Sequence, residues 1–447
     1  MKERSLLKSF LVYVSLNILG QAAFSCYTMA DTFFVSMKLG TNGLTALNIA
    51  FPVFCIISGI GLMIGMGAGT RFSIAKNRGE TKKSNSYFTN AIYLIILFSI
   101  IFMLLGSLFS KEIAALLGAD ETILPYANIY LKTMMLFAPA FMFNHLLQCF
   151  VRNDGKPMLS MTAMIVGSLA NILLDYIFIF PFDMGIFGAI LATGLSPLIS
   201  MLIISPYILM RKNNFHIQKE IPNLKKELEL SSSGIPSLVT EFSSGIIMFL
   251  FNFLILRLEG NVGVAAFGIV TVISLVVVAI FTGLSQGIQP LMSSNYGQGE
   301  IANVKKLYRY SLITLLILAS SMYLIIFFGA ESIIDIFNSE NDPYLKELST
   351  TGLKLYFIAT PFIGFNIVSS TFLTSCERNI SAQIVSLLRG LFVLLPITFL
   401  LSYTLKMLGI WLTYPVSEGI VSIVALVLII LSLKLNNKDR KETIKQR

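Results

Sequence analysis

Twelve runs of about twenty mainly apolar residues succeed one another along this chain, each long enough for an α-helix to cross the hydrocarbon layer of a bilayer. They fall at residues 10–36, 45–70, 87–109, 125–148, 158–180, 185–210, 233–256, 263–292, 307–329, 351–375, 380–403 and 408–433. Of the 447 residues, 55% are hydrophobic and only 13% charged, where soluble domains carry about 25% charge. In lipid the backbone must satisfy its own hydrogen bonds, which leaves helices or closed barrels, and runs of this length belong to helices. The sequence therefore predicts an all-α polytopic membrane protein seated in the lipid bilayer. An even number of spans places both termini on one side.

The formal net charge of +9 suggests nucleic acid only until the charges are placed. With the N-terminus taken as inside, 25 of the 33 lysines and arginines fall in inner segments. Five (Lys38, Lys111, Arg257, Lys346, Lys406) fall outside, and three (Lys132, Lys354, Arg389) lie within spans. This positive-inside pattern predicts cytoplasmic termini and a location in the cell inner (plasma) membrane, with no nucleic-acid partner. Lys2, Arg4 and Lys8 before an apolar run look like a signal peptide. The run continues past Asp31 as a full span, so it reads as a retained first helix. Cys26, Cys55, Cys149 and Cys376 have neither a disulfide nor a zinc spacing and read as small apolar residues.

The two halves of the chain repeat one another. At a spacing of 222 residues, Leu131, Lys132, Pro139, Phe143 and Asn144 recur as Leu353, Lys354, Pro361, Phe365 and Asn366. At a spacing of 218, Gly65, Gly69, Asn77 and Gly79 recur as Gly283, Gly287, Asn295 and Gly297. Residues 1–210 then form an N-terminal six-helix lobe and 211–232 a charged cytoplasmic linker. Residues 233–433 form a C-terminal six-helix lobe, and 434–447 a polar cytoplasmic tail. Six spans per copy makes the repeats parallel, two bundles related by a pseudo-two-fold axis along the membrane normal. Such a duplication encloses a central cleft that opens by rocking of one lobe against the other.

Polar residues inside spans mark where that cleft is wet. Asn17, Gln21, Thr28 and Asp31 form one stripe on span one. Ser168, Asn171 and Asp175 repeat it on span five, and Ser237, Glu241, Ser244 and Asn252 on span seven. An acid at membrane depth costs roughly 2.5–3.5 kcal/mol on insertion scales, so Asp175, one turn from Asn171, is a functional candidate by default. Pro52, Pro139, Pro197, Pro290, Pro361, Pro396 and Pro415 interrupt spans and permit bends. Gly65-Met66-Gly67-Ala68-Gly69 lies in a span without a preceding strand and reads as close helix packing, not a dinucleotide loop. His145 and His216 lack a nucleophile-and-base arrangement, and no enzyme activity is expected.

Several stretches together resemble the MATE (multidrug and toxic compound extrusion) transporters, in their prokaryotic form. In the first half these are Arg152 with Asp154-Gly155-Lys156-Pro157, Asn171 to Asp175 with Tyr176-Ile177-Phe178, and Gly188 to Thr193. In the second half they are Gln286 to Leu291 with Asn295-Tyr296-Gly297, and Gly409-Ile410-Trp411 with Tyr414-Pro415. The resemblance implies a secondary active multidrug efflux transporter whose N-terminal lobe holds the coupling cation. The family's positions for that site match Asp31, Asn171, Asp175 and Thr193, with Tyr130 of span four as a fifth, and the first four would also be the ligands of Na⁺. A family subgroup uses an acid in span ten, which this chain lacks between Gly352 and Thr374. Glu241 matches the family's span-seven acid, and Gln21, Glu241, Asn252 and Gln286 are expected to line the substrate cleft.

Oxygen donors suit Na⁺, and two neighbouring carboxylates suit a proton equally well, so H⁺ and Na⁺ both stand as coupling ions and no other cofactor is expected. The acids in the spans favour small-molecule amphipathic substrates of cationic, aromatic character, carried by a monomer. The rival reading is a lipid-linked oligosaccharide or other lipid flippase of the same superfamily. It calls for more spans and a cationic cleft than this sequence offers.

Overall fold

The computed structural model describes residues 3–338 and 342–445, so the first two residues of the expected N-terminal lobe and the last two of the expected tail lie outside it. Every regular element among the described residues is helical. Two helices are too long to cross a membrane once: Glu3–Asn77 has 75 residues and Leu224–Gly297 has 74. At 1.5 Å per residue each would reach about 110 Å, against a hydrocarbon layer of about 30 Å. Each is broken at one glycine in the left-handed half of conformational space, Gly40 (φ 59°, ψ −145°) and Gly260 (φ 62°, ψ −152°). The helix Leu394–Lys445 is broken in the same way at Lys406 (φ 51°, ψ −129°). A residue without a Cβ adopts such a backbone at little cost, which is why glycine stands at two of the three turns.

Divided at these breaks, the chain forms twelve spans. In the N-terminal lobe they are α1 (3–39), α2 (41–77), α3 (Thr81–Leu116), α4 (Leu124–Leu136 and Ala138–Asn153), α5 (Pro157–Ile179) and α6 (Gly185–Leu209). In the C-terminal lobe they are α7 (224–259), α8 (261–297), α9 (Ile301–Phe337), α10 (Pro343–Tyr356 and Thr360–Ser375), α11 (379–405) and α12 (407–445). Proline accounts for several irregularities. The two parts of α4 meet at 46° just before Pro139, and a 3₁₀ turn at Phe357–Ala359 precedes Pro361 in α10. A π turn at Leu388–Phe392 precedes Pro396 in α11.

The linker is shorter than the sequence suggests. Helix α7 already begins at Leu224, because Asn223 accepts a hydrogen bond from the Lys226 amide and caps it. The extended part lies along α3, whose side chains supply acceptors for its backbone: Asn85 takes the His216 amide, Thr89 that of Gln218, and Asn90 that of Asn223. Asn85 and Thr89, four residues apart, lie one above the other on α3, and Asn90 adjoins Thr89.

Each lobe has its own apolar core, except that Leu6, Phe10 and Val14 at the start of α1 are buried in the core of the C-terminal lobe and Leu230 of α7 in that of the N-terminal lobe. The lobes cross reciprocally, α1 on α8 and α2 on α7, and glycines make both crossings close. A Cβ on Gly283 would come within 2.6 Å of the Ile18 Cα, and one on Gly287 within 2.8 Å of the Val14 Cα. A Cβ on Gly67 would meet the Leu230 carbonyl at 1.9 Å, and one on Gly234 the Met63 carbonyl at 1.8 Å. The Gly65–Gly69 stretch is thus helix packing, with Gly65 against His145 and Gly69 against Asn153.

Polar contacts clasp the lobes at the end that carries the basic loops. Glu377 accepts from Arg71 at 2.7 Å and from Arg78 at 2.8 Å, and Gln298 donates to Asn77 at 2.8 Å. Nine residues before Gln298 on α8, Gln289 exchanges amide hydrogen bonds of 3.0 and 3.1 Å with Asn153.

Candidate functional site

The polar stripes of α1, α5 and α7 face inward as their spacing requires. Between the lobes lies a cleft of about 1490 Å³, open solvent included, with walls from α1, α2, α4, α5, α6, α7 and α8. Gln21, Phe24 and Thr28 of α1 face Phe54 and Ser58 of α2, Phe141 and His145 of α4, and Glu241 of α7. Three of the four residues expected to line it, Gln21, Glu241 and Gln286, do so, and Gln21 donates to Gln286 across the lobes at 3.1 Å. Asn252, two turns beyond Ser244, is half-buried but is not among the lining residues. His145 shares a 2.9 Å hydrogen bond with Ser58 in the cleft wall.

The five residues expected to hold a cation gather beside this cleft, within the N-terminal lobe. Asp31 lies one turn along α1 from Thr28, and Asn171 one turn along α5 from Gly167, both Thr28 and Gly167 being cleft-lining. Asn171 and Asp175 are fully buried, and Asp31, Thr193 and Tyr130 are each about 7% exposed. In the amide orientation that satisfies both its atoms, Asn171 donates to Asp175 Oδ2 at 3.0 Å and accepts from the Thr193 amide at 3.3 Å. The Asp31 and Asp175 carboxylates act on one another electrostatically, and both act on Tyr130. Among the described residues, one oxygen of each carboxylate, Asp31 Oδ1 and Asp175 Oδ1, is buried without a hydrogen-bond partner. A buried carboxylate oxygen left in this way calls for a proton or a hard cation.

The other lobe treats its acid differently. Glu418 of α12 accepts from Arg389 of α11 at 2.6 Å and from Asn366 of α10 at 2.6 Å, so its charge is already matched. Sequence reasoning placed both Arg389 and Glu418 in spans but did not pair them. It also counted Arg152 with the loop cations, whereas the structure buries its side chain at the floor of the cleft. Arg152 ends an apolar run, and it is covered by Asn17 of α1 and Met66 of α2 together with Gln286 of the opposite lobe.

A duplicated helical membrane protein with a cleft between its lobes and an unsatisfied acidic pair beside that cleft is a secondary transporter in its architecture. The MatE family model matches residues 17–177 and 236–404, and the chain belongs to the MATE family of multidrug efflux transporters. It is 25% identical to the multidrug export protein MepA of Staphylococcus saprophyticus over 99% of this chain and 98% of that one. With MepA of Staphylococcus aureus strain MSSA476 it shares 26% identity over 94% of this chain and 92% of the relative. Among solved structures it resembles the outward-facing conformation of a multidrug resistance MATE family transporter of the MOP superfamily (TM-score 0.89, 20% identity, 99% of each chain). It is also similar to a MOP superfamily transporter from Pyrococcus furiosus (TM-score 0.86, 21% identity, 98% of each chain).

Proposed function

We propose that this protein exports amphipathic, cationic aromatic compounds across the plasma membrane in exchange for H⁺ or Na⁺. The observation that carries the reading is the pair Asp31 and Asp175, buried together beside the cleft with one oxygen of each lacking a partner. Two carboxylates in a low-dielectric site cannot both stay ionised without help, and a proton shared between them or a Na⁺ among the oxygens supplies it. Asp31, Asp175, Asn171 and Thr193 are the Na⁺ ligands in this reading, and the Tyr130 hydroxyl faces the same space. Asn171 fixes the Asp175 carboxylate and ties it to α6 through the Thr193 amide, so a cation bound there draws α1, α5 and α6 together.

Those helices also line the cleft, where Gln21, Glu241 and Gln286 meet substrate. The cation thereby changes the shape that a substrate finds, and differential affinity of this kind is what exchange requires. The role of MepA as a multidrug export protein supports small-molecule substrates. The clustering of basic loops at one end supports cytoplasmic termini. The self-contained cleft within one chain supports a monomer.

Ethidium accumulation in cells with and without the protein tests this reading, with the membrane gradient collapsed by ionophore and repeated in Na⁺-free medium. Wild type should lower accumulation only while an H⁺ or Na⁺ gradient exists. Asp175→Asn should accumulate dye as empty cells do while reaching the membrane at normal level. Unchanged export by Asp175→Asn would overturn the assignment.

A further inference from the structure

Arg152 is the penultimate residue of α4 and only 1% exposed, yet among the described residues it touches no carboxylate. Its Nη1 donates to Asn17 Oδ1 at 3.2 Å and to Gln286 Oε1, its Nη2 meets only sulfur (Met66 Sδ at 3.8 Å, Cys149 Sγ at 3.2 Å), and its Nε is buried without a partner. The acid nearest in sequence, Asp154, is held by Lys76 at 2.5 Å, Tyr207 at 2.7 Å and Asn214 at 2.8 Å. A guanidinium does not shed its charge inside a protein, and a buried charge without a counter-ion costs several kcal/mol. The edge formed by Nε and Nη2 is one on which a carboxylate docks through two parallel hydrogen bonds. On Arg152 that edge has only weak sulfur acceptors, although the residue itself lines the cleft.

The rest of the cleft fits the remainder of such a molecule. Phe24, Phe54 and Phe141 offer aromatic faces, and Glu241 supplies a negative charge on the wall of the opposite lobe. We propose that the Arg152 guanidinium is an anion subsite at the floor of the cleft that takes the carboxylate of an amphipathic zwitterion. The aromatic body of that substrate lies against the phenylalanines and its ammonium faces Glu241. The inference rests on the export reading above and narrows its substrate class. It also makes the subsite a property of the clasped lobes, because Gln286 of α8 orients the guanidinium that α4 presents.

The test is equilibrium dialysis of the purified full-length protein in detergent with a matched pair, an aromatic amine bearing a free carboxylate and its methyl ester. Wild type should bind the acid roughly tenfold more tightly, as a charge-assisted bidentate contact implies. Arg152→Gln should erase that preference and leave ester affinity within about twofold, since only the carboxylate contact is charge-assisted. Arg152→Lys, which keeps the charge but not the fork, should retain part of the preference and carries the test if the glutamine variant does not fold. A brace between the lobes would instead weaken acid and ester alike, and that result, or no preference in wild type, overturns the subsite. Ester binding that survives in those cases leaves the export reading standing, while binding of neither compound overturns both. Thermal unfolding over a range of sodium chloride concentrations separates the remaining source. Stabilisation by chloride that needs Arg152, without any acid-over-ester preference, overturns the carboxylate assignment in favour of a small inorganic anion.

Discussion

The rings of Phe251 and Tyr414 meet edge to face with centroids 5.9 Å apart, at the places in the C-terminal lobe that Asp31 and Thr193 hold in the N-terminal one. Phe251 stands as far before the Gly260 turn as Asp31 does before Gly40, and Tyr414 as far beyond the Lys406 turn as Thr193 beyond Gly185. The third element of the comparison agrees. Gly352, equivalent to Tyr130 in the repeat, leaves room for the Trp411 ring, which a Cβ there would meet at 2.8 Å. One lobe fills this position with a polar site and the other with packed aromatic rings. Pseudo-symmetry of the backbone has been kept while the chemistry has been confined to one side.

Substitutions at the two equivalent positions should therefore fail in different ways. Asp31→Asn should abolish gradient-driven ethidium export with little change in thermal unfolding, since it removes a charge that burial already penalises. Phe251→Ala should keep ion-dependent export per folded molecule but lower stability by about 3–5 kcal/mol, the usual cost of truncating a fully buried phenylalanine. Export and unfolding measured on the same preparations decide it. Loss of ion dependence in Phe251→Ala with normal stability would show that the C-terminal lobe takes part in coupling.

Much of the site was legible in the sequence because a membrane span makes polarity conspicuous. Asp31, Asn171 and Asp175 sit at depths where an unneeded acid or amide is expensive, so spacing placed them on inward faces, whereas Thr193 was named only through the family resemblance. Tyr130 was harder, since a tyrosine is ordinary in such helices. Arg152 was not legible at all. Hydropathy puts it at a span end, and its burial comes from residues distant in sequence, Asn17 and Met66 in its own lobe and Gln286, 134 residues away, in the other. Asn252 shows the opposite error, for it continues the stripe on α7 but lies beyond the cleft. The helix that runs unbroken to Gly40 and resumes after it was likewise hidden, because an apolar-window search reads such a turn as an ordinary loop.

The clasp made by Glu377 should set how often the end that carries the basic loops opens. Its pairs with Arg71 and Arg78 are partly exposed, with side-chain exposures of 17–37%, so each contributes about 0.2–1 kcal/mol after solvent screening. Glu377→Gln should shift the balance between facing states roughly threefold to tenfold, since about 1.4 kcal/mol is a factor of ten. Cys149, buried at the cleft wall, reports the shift. In inside-out vesicles, with the other three cysteines replaced, a membrane-impermeant maleimide should label Cys149 faster in Glu377→Gln than in the parent. Equal rates would mean that the clasp is not a gate.

Closure at the same end also depends on backbone approach. With Gly67 facing the Leu230 carbonyl and Gly234 the Met63 carbonyl, an added methyl at either position cannot be absorbed by a side-chain rotation. Gly67→Ala and Gly234→Ala should each force α2 and α7 apart, costing the closed arrangement about 1–3 kcal/mol. Cys149 labelling should rise in both, and export should fall even though no polar residue has changed. Because the two glycines share one crossing, the double substitution should cost less than twice either single one. Simple additivity in unfolding midpoints would place them at independent contacts.

Glu418 offers a control for the reading of the acids as a whole. It is 2% exposed and bound to Arg389 and Asn366, so its charge is structural in a way that those of Asp31 and Asp175 are not. Glu418→Gln strands the Arg389 guanidinium in the C-terminal lobe, and breaking a buried pair from one side costs about 3–5 kcal/mol. Removing both charges together, as in Arg389→Met with Glu418→Leu, should recover most of that loss, since replacing both partners by apolar groups is often neutral. The double variant should then export with unaltered ion dependence. Restored stability with lost coupling would put Glu418 in the transport cycle and extend the coupling acids to both lobes.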